Sequence, residues 1–122
     1  RAGSDTQWCF GDDEAKLGDY AWFGGNSGIA PHPVGQKQAN AWGLHDLHGN
    51  VWEWCWDWFG PYSAESAIDP TGVGDGTERM LRGGSFLFGP RDLRSASRSG
   101  FEPGLQNSGI GFRCVRGVSR QP

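Results

Sequence analysis

The stretch that decides the fold is His48-Gly49-Asn50-Val51-Trp52-Glu53-Trp54-Cys55-Trp56-Asp57-Trp58-Phe59-Gly60, with tryptophan at positions 52, 54, 56 and 58. In an extended strand, this period of two directs all four indoles to one face of a sheet. The pattern predicts a core strand whose tryptophan face fills a wide gap in the interior. Glu53 and Asp57 fall on the opposite face, where they are candidates for a role beyond packing.

The composition predicts one domain with little helix. Glycine makes up 21 of the 122 residues, far above the usual share of about 7%, and there is no collagen period. Aromatic residues are too frequent for a disordered chain, so we expect short strands joined by long, ordered loops. The sequence has no run of about 18 apolar residues, which argues against a membrane span. The polar opening after Arg1 does not resemble a signal peptide.

Charge is distributed unevenly along the chain. Residues 1–78 carry 12 acidic and 3 basic side chains, whereas residues 79–122 carry 8 arginines and 2 acidic side chains. Two interpretations stay open: the arginine-rich half folds against the acidic half, or it forms a basic surface for an anionic partner. Nucleic acid is not expected as that partner, because the sequence has neither a recognition helix nor a basic and aromatic sheet signature.

The cysteines are Cys9, Cys55 and Cys114. Three is an odd number and no C-x-x-C pair occurs, so the sequence does not support a zinc site. Cys55 and Cys114 lie in strand-like runs, where a free cysteine often behaves as a small buried apolar residue. A disulfide is possible, but its connectivity does not follow from the sequence.

Two helical turns are expected in the first half of the chain. Acidic residues lead the segment 12–17, as the helix dipole prefers, and Gly18 is expected to end it. Asn40 is a candidate cap for a second turn within residues 40–49, which feeds directly into the tryptophan strand.

The second half should contain a turn and two strands. Asp69-Pro70-Thr71-Gly72 is typical of a turn in a long surface loop. Strands are expected over residues 77–82 and 110–116, and the segment 85–109 between them shows no periodicity. The final strand would place three residues on one face: Ile110, Phe112 and Cys114.

Five motifs carry a resemblance to a known family. They are Asn40-Ala41-Trp42-Gly43-Leu44-His45-Asp46-Leu47-His48-Gly49-Asn50-Val51-Trp52-Glu53-Trp54, Asp69-Pro70-Thr71-Gly72, Arg82-Gly83-Gly84-Ser85, Arg94-Ser95-Ala96 and Gly109-Ile110-Gly111-Phe112-Arg113. In this order and spacing, the chain resembles the formylglycine-generating enzyme, or sulfatase-modifying factor, family. The resemblance implies an α+β fold, a C-type lectin-like variant with short strands, long ordered loops and little helix.

The resemblance covers only the C-terminal half of the usual family domain. Residues 1–122 would form that half, and possible partners therefore include the missing N-terminal half or a fused domain. In the family, a cysteine ahead of the position of Arg1 often pairs with the one that follows Gly-Phe-Arg. The resemblance thus implies that the partner of Cys114 lies outside this chain, which leaves Cys114 free here.

The resemblance also implies calcium at one or two sites. The first would use two carboxylates and two main-chain carbonyls, hard oxygen donors that suit calcium: Asp46, Gly49, Val51 and Glu53. The residues leave an alternative open, in which Glu53 pairs with Arg82 or Arg113. The second site maps onto Asp19, Tyr20, Asn26 and Gly28. The spacing from Tyr20 to Asn26 is shorter there than in the family, and solvated loop residues are the alternative.

The catalytic loop is where the sequence departs from the family. The oxidase binds Cu(I) with two cysteines in the loop after Gly-Gly-Ser, as soft thiolates do, but Phe88 stands at the first of these positions. The second position falls in a shortened segment, and no cysteine lies in residues 83–94. We therefore expect no copper and no copper-thiolate oxidase chemistry, and we assign no catalytic residue.

The function predicted first is a non-catalytic, calcium-stabilised recognition or interaction domain. Loops 86–108 would bind an unknown protein or small-molecule ligand, since they carry aromatic and cationic side chains of the kind found at interface anchors. Retroelement-diversified variable proteins of this fold bind ligands through the same loop, but their loops are rich in asparagine and this one has only Asn107. The candidate ligand contacts are Trp52, Ser85, Phe86, Phe88, Arg91, Arg94 and Arg98.

The alternative is an enzyme of the same family whose missing groups lie outside this chain. It would be a formylglycine-generating oxidase or an ergothioneine-type sulfoxide synthase, which binds iron through histidines supplied largely by a separate domain. His32, His45 and His48 are too few for such a site and lie outside the expected motif. Calcium use and a possible disulfide favour an extracytoplasmic bacterial setting.

Overall fold

A small mixed sheet organises the protein. The computed structural model describes residues 2–62 and 72–116, and its four strands are β1 (Trp52–Trp58), β2 (Arg79–Arg82), β3 (Ser99–Phe101) and β4 (Ile110–Gly111). Their order is β3-β2-β1-β4; β2 pairs antiparallel with β1 and β3, whereas β4 runs parallel to β1. Short strands and long loops therefore match the prediction.

Within residues 2–62 and 72–116, helical structure is limited to single turns. The α-helix α1 covers Leu17–Tyr20, and 3₁₀ turns cover Glu14–Lys16 and Pro90–Leu93. No helix within the described ranges is long and apolar enough to cross a membrane. Gly18 lies inside α1 instead of ending the helix, because the N–H of Ala21 still reaches the carbonyl of Leu17 at 2.9 Å and Leu17 itself is anchored in the core.

The tryptophans of β1 do not form the continuous core face that their period predicts. Trp52 is 6% exposed, but Trp56 is 84% exposed, and Trp54 and Trp58 are half-buried. The register against β2 shifts between Trp54 and Trp58, and such an irregularity interrupts the alternation of faces. At this end of the strand, the guanidinium of Arg79 lies 3.4 Å from the Trp58 ring centroid and 5.1 Å from that of Trp56. The predicted core face is therefore wrong beyond Trp52.

A hydrophobic core lies between the first quarter of the chain and the loop after β2. Its buried members come from the segment before α1, from α1 and its end, and from the second 3₁₀ turn: Trp8, Leu17, Ala21 and Leu93, with Phe10 and Phe23 packed against them. The Phe10 ring stacks on Trp8 and Tyr20 at centroid distances of 5.7 and 4.4 Å. Aromatic anchors thus hold the N-terminal segment without regular structure.

Other predicted elements differ in extent. Residues 40–49 contain no helical turn. Instead, Asn40 Oδ1 accepts hydrogen bonds from the N–H groups of Trp42 and Leu44. Such local bonds from a side chain to the main chain compete with helix formation. The strand predicted over 77–82 begins at Arg79. The strand predicted over 110–116 ends at Gly111, and beyond it Phe112 is 76% exposed. The turn predicted at 69–72 lies, except for Gly72, outside the described residues.

His48 braces the segment that leads into β1. Its Nε2 accepts a hydrogen bond from the N–H of Cys9 at 3.1 Å, and its Nδ1 donates to the carbonyl of Leu93 at 2.7 Å. The ring is 4% exposed. It thus ties three distant parts of the chain together in its neutral form.

Acid should weaken this brace. Burial lowers the pKa of His48 below its ordinary value of 6.5, so the unfolded chain takes up the proton first. The free energy of unfolding should therefore fall as the pH drops below about 6.5. We expect His48→Gln to lose about 2 kcal/mol of stability at pH 7.5 and to show a shallower loss towards pH 5, measured by urea unfolding at both pH values. An equal acid dependence in the variant would contradict this role.

Candidate functional site: a cleft beside the first strand

A cleft of about 370 Å³ opens beside the start of β1. The turn that enters β1 forms one of its walls, and this turn has positive φ angles at Asp46 (+56°), Gly49 (+78°) and Asn50 (+60°). We call it the Asp46 cleft; the residues that line it are Val34, Gly35, Gly43, Leu44, His45, Asp46, Gly49, Asn50, Val51, Glu53, Phe112 and Arg113. All four residues of the first predicted calcium site thus lie around one cavity.

Asn50 holds this turn in place. Its side-chain oxygen accepts from the N–H of His32 at 2.9 Å, and its amide group donates to the carbonyl of His32 at 3.0 Å. Its main chain donates to the carbonyl of Trp22 and accepts from the N–H of Phe86, each at 2.7 Å. This role was not predicted from the sequence, although an asparagine that follows a glycine at the end of a turn is the available signal.

The carboxylate of Asp46 is only partly satisfied. Oδ2 accepts a hydrogen bond from the N–H of Gly35 at 2.8 Å, whereas Oδ1 is buried and has no hydrogen-bond partner. The residue is 8% exposed. A buried carboxylate oxygen without a partner is costly, so this atom is suited to a cation.

Glu53 forms an ion pair with Arg113, one of the two arginines between which the sequence did not decide. Its Oε2 accepts from Arg113 Nε at 2.7 Å and its Oε1 from Arg113 Nη2 at 2.6 Å. The same Nη2 also reaches the carbonyls of His45 and Asp46, at 3.0 and 3.2 Å. Donating these hydrogen bonds to Glu53 raises the pKa of Arg113, so the guanidinium stays charged. Arg82, the other candidate, donates to the carbonyls of Ala96 and Ser97 instead.

The cleft contains donors that fit calcium. It brings the acidic residues Asp46 and Glu53 together with Gly49 and Val51, whose main-chain carbonyls would add hard oxygen ligands of the kind that calcium prefers. The described residues contain no group of three or more histidine, cysteine or acidic side chains that could hold a metal, so any ion here would depend on main-chain carbonyls as well. The unpartnered Asp46 Oδ1 is the feature that favours a cation.

The residues of the second predicted calcium site make local contacts in the structure. Asn26 Oδ1 accepts from the N–H of Phe23 at 2.9 Å and its amide donates to the carbonyl of Ala21 at 2.9 Å, so both ends of this side chain serve the turn after α1. The main-chain carbonyl of Asp19 accepts from the N–H of Gln38 at 2.9 Å. Tyr20 stacks on the core residue Phe10, and Gly28 has a φ of +63°.

The loop after β2 presents only part of its predicted contact set. Ser85 and Phe86 are 0% and 2% exposed, so they support the loop from below and offer little side-chain surface to a ligand. Phe88 is 41% exposed and contacts Trp52 edge to face, with ring centroids 5.8 Å apart. Leu87 is 54% exposed beside it. The accessible apolar surface therefore lies at the loop tip.

The arginines of this loop differ in availability. Arg91 is exposed in the second 3₁₀ turn, and Arg94 donates its Nε to the Arg91 carbonyl at 2.8 Å. Arg98 is committed to the fold: its Nη2 donates to the carbonyl of Gly60 at 2.6 Å, and its guanidinium lies 4.1 Å from the ring centroid of Tyr62. Arg91 and the outer part of Arg94 are thus the cations that a ligand could reach.

The histidines and cysteines do not assemble into a site. His32 stacks on Trp22 at a centroid distance of 3.7 Å, and His45 Nδ1 lies 2.7 Å from the carbonyl of Lys37. All three cysteines fall in described parts of the chain and are free thiols. Burial raises the pKa of Cys9 and of Cys55, which lowers their reactivity as thiolates. Cys114 is exposed.

Known proteins resemble the chain over most of its length. The formylglycine-generating enzyme of Streptomyces coelicolor is 47% identical over 92 residues, which cover 71% of this chain and 29% of the relative. The serine/threonine-protein kinase pkn1 of Chlamydia caviae is 46% identical over 90 residues, covering 70% of this chain and 15% of the kinase. The solved structure of Treponema denticola variable protein 1 superposes with a TM-score of 0.86 at 39% identity, covering 91% of this chain and 41% of that one.

These relatives are longer proteins, of which the chain spans less than half in each case. The model of the sulfatase-modifying factor enzyme 1-like domain matches residues 1–118. That match confirms the resemblance drawn from the five sequence motifs. The protein therefore belongs to the sulfatase-modifying factor enzyme 1-like family.

Proposed function

We propose that this chain is part of a non-catalytic recognition domain, a C-type lectin-like member of its family stabilised by calcium in the Asp46 cleft. The ligand, a protein or a small molecule, contacts the exposed tip of loops 86–108, from Leu87 to Arg91. This tip combines apolar side chains with a free cation within five residues, so we expect a ligand that presents an apolar group beside an anionic one.

The observation that carries this proposal is the position of Phe88. The family resemblance puts the first copper-binding cysteine there, and in this chain an aromatic ring packs on Trp52 while remaining 41% exposed. A phenyl ring supplies neither a thiolate for copper nor a nucleophile, but it is a good contact surface.

An enzyme is the second candidate, because one relative at 47% identity is named a formylglycine-generating enzyme. The groups that this chain lacks would then come from the remainder of a longer protein. The likeness to a kinase of which the matched region forms 15% supports a third arrangement, in which this domain is fused to another and acts as an accessory module.

An oxidase assay tests whether this chain by itself carries out the oxidase reaction. We expect the chain, incubated with Cu(I), oxygen and a cysteine-containing sulfatase-type peptide, to yield no aldehyde detectable by hydrazide capture. The Streptomyces coelicolor relative is the positive control. Aldehyde formation by this chain would contradict a non-catalytic role.

The recognition surface can be mapped with selected peptides. Peptides panned from a random library on the immobilised chain should lose about 30-fold in affinity for Phe88→Ala and for Arg91→Ala, since exposed aromatic and arginine anchors dominate interface energy. Trp42→Ala and Arg116→Ala remove an exposed indole and an exposed guanidinium outside loops 86–108 and serve as matched controls. Binding that weakens only in the controls would place the ligand elsewhere.

A further inference from the structure

The guanidinium of Arg113 occupies an oxygen cage in the Asp46 cleft. Its Nη2 lies 2.6 Å from Glu53 Oε1, 3.0 Å from the His45 carbonyl oxygen and 3.2 Å from the Asp46 carbonyl oxygen. Three oxygens from three residues around one cationic nitrogen are the surroundings that a metal cation also seeks. The cation that contacts these oxygens in the structure is therefore a side chain of the protein itself.

A metal ion and the guanidinium of Arg113 would both be attracted by the negative charge of Glu53. Arg113 contacts both oxygens of Glu53, whose side chain is 20% exposed and therefore the more accessible carboxylate of the cleft. A divalent ion bound to Glu53 would stand a few ångströms from the guanidinium, and two cations at that distance repel each other strongly in a partly dry site. The buried Asp46 Oδ1, which has no partner, shows that the guanidinium does not satisfy the whole cleft.

The segment that carries Arg113 is held mainly by these contacts. Strand pairing to β1 ends at Glu53 and Gly111, Phe112 is 76% exposed and Cys114 is exposed. The side chain of Arg113 is itself 34% exposed, so the guanidinium can leave the cleft for water without moving β4.

We propose that Ca²⁺ and the guanidinium of Arg113 compete for the oxygens of the Asp46 cleft, so that binding of the ion releases Arg113 and loosens residues 112–116. This inference rests on the calcium site proposed above. It makes the segment after β4 a reporter of calcium occupancy: it is held against β1 without the ion and freed with it.

Competition has a defined thermodynamic signature. Suppose that the ion binds only to molecules in which Arg113 has left the cleft. The observed association constant then equals the intrinsic one multiplied by the fraction of molecules in that state. Removing the guanidinium should therefore tighten calcium binding, by about tenfold if the coupling is of the usual size. The coupling is reciprocal, so calcium must weaken the hold of the cleft on Arg113 to the same extent.

Calorimetric titration of CaCl₂ into the chelator-treated chain tests the proposal. We expect Arg113→Gln to bind Ca²⁺ about tenfold more tightly than the unmodified chain. Arg116→Gln removes the same charge three residues away, outside the cleft lining, and should change the affinity by less than twofold. Tighter binding by Arg113→Gln alone supports competition, as does binding seen only in that variant.

A spin label on Cys114 supplies a readout that does not depend on affinity. In a Cys9→Ser, Cys55→Ala background with an unchanged circular dichroism spectrum, calcium should increase the mobility of the label. With Arg113→Gln added, the label should be mobile from the start and insensitive to calcium.

Two results would overturn the inference in different ways. Equal or weaker calcium binding by Arg113→Gln, while the unmodified chain binds, would mean that the guanidinium orients Glu53 for the ion, and the calcium site itself would stand. No calcium heat in any variant would remove the calcium site, and the competition with it.

Discussion

Replacing Gly49 with alanine is expected to prevent the chain from folding. Gly49 has a φ of +78°, and a Cβ atom built there would overlap the carbonyl oxygen of Trp22 and lie 3.0 Å from Leu93 Cδ2. Its N–H also donates to the carbonyl of Gly83 at 2.8 Å, so the turn cannot move away without losing that bond. Backbone strain and a clash with main chain together should cost at least about 4 kcal/mol, a large share of the stability of a small domain.

Gly104→Ala is the matched control for this substitution. No atom lies within 4 Å of the Cβ that it would add, and its φ is not in the left-handed region. We expect that variant to unfold in urea at the same concentration as the unmodified chain or slightly higher, because alanine restricts the unfolded state. A folded Gly49→Ala chain with an unchanged urea midpoint would contradict the close approach of this turn to Trp22.

Calcium is expected to raise the melting temperature by about 10 °C. An ion present at 100 times its dissociation constant stabilises the folded state by about 2.7 kcal/mol, and a chain of this length shifts by about 4 °C per kcal/mol. Differential scanning calorimetry with 1 mM CaCl₂, and then with excess chelator, measures the difference. Magnesium at the same concentration should have a smaller effect, because it requires a tighter octahedral shell than loop carbonyls supply.

Neutral replacements of two acidic residues test whether the Asp46 cleft is responsible for the stabilisation by calcium. Glu53→Gln should lose the calcium-dependent part of the melting temperature, since it removes one of the two carboxylates of the cleft. Asp57→Asn removes the same charge from β1 but lies outside the cleft lining, so it should keep the full shift. A calcium effect that survives Glu53→Gln would place the ion elsewhere in the chain.

The family resemblance, and not a local pattern, assigned four residues to the first calcium site. Asp46, Gly49, Val51 and Glu53 were proposed as one set, and they do line one cavity, because they belong to one eight-residue segment whose glycine turn brings its ends together. The ion pair of Glu53 was foreseen as an alternative, but its partner was not decided between Arg82 and Arg113. The choice depends on β4 running parallel to β1, a pairing that no local pattern encodes.

The loop contacts were predicted less well. Phe86 and Phe88 look alike in sequence, two residues apart in an irregular loop, yet one is 2% and the other 41% exposed. The difference arises because the N–H of Phe86 bonds to the carbonyl of Asn50, which draws that residue inward. The alternation of β1 failed for a related reason: its outer end extends beyond the core, so Trp56 stays in solvent beside Arg79.

The family, the scarcity of helix and the segment that carries the cleft follow from the amino-acid sequence alone, because motif order, glycine content and the tryptophan period can be observed without a structure. The folded chain was needed to show which tryptophan is buried, which arginine pairs with Glu53 and which loop residues are accessible to a ligand. These depend on contacts between residues as far apart as Glu53 and Arg113 or Cys9 and His48. Such contacts form only when the sheet and the N-terminal core come together, and their free energy is a property of that assembly.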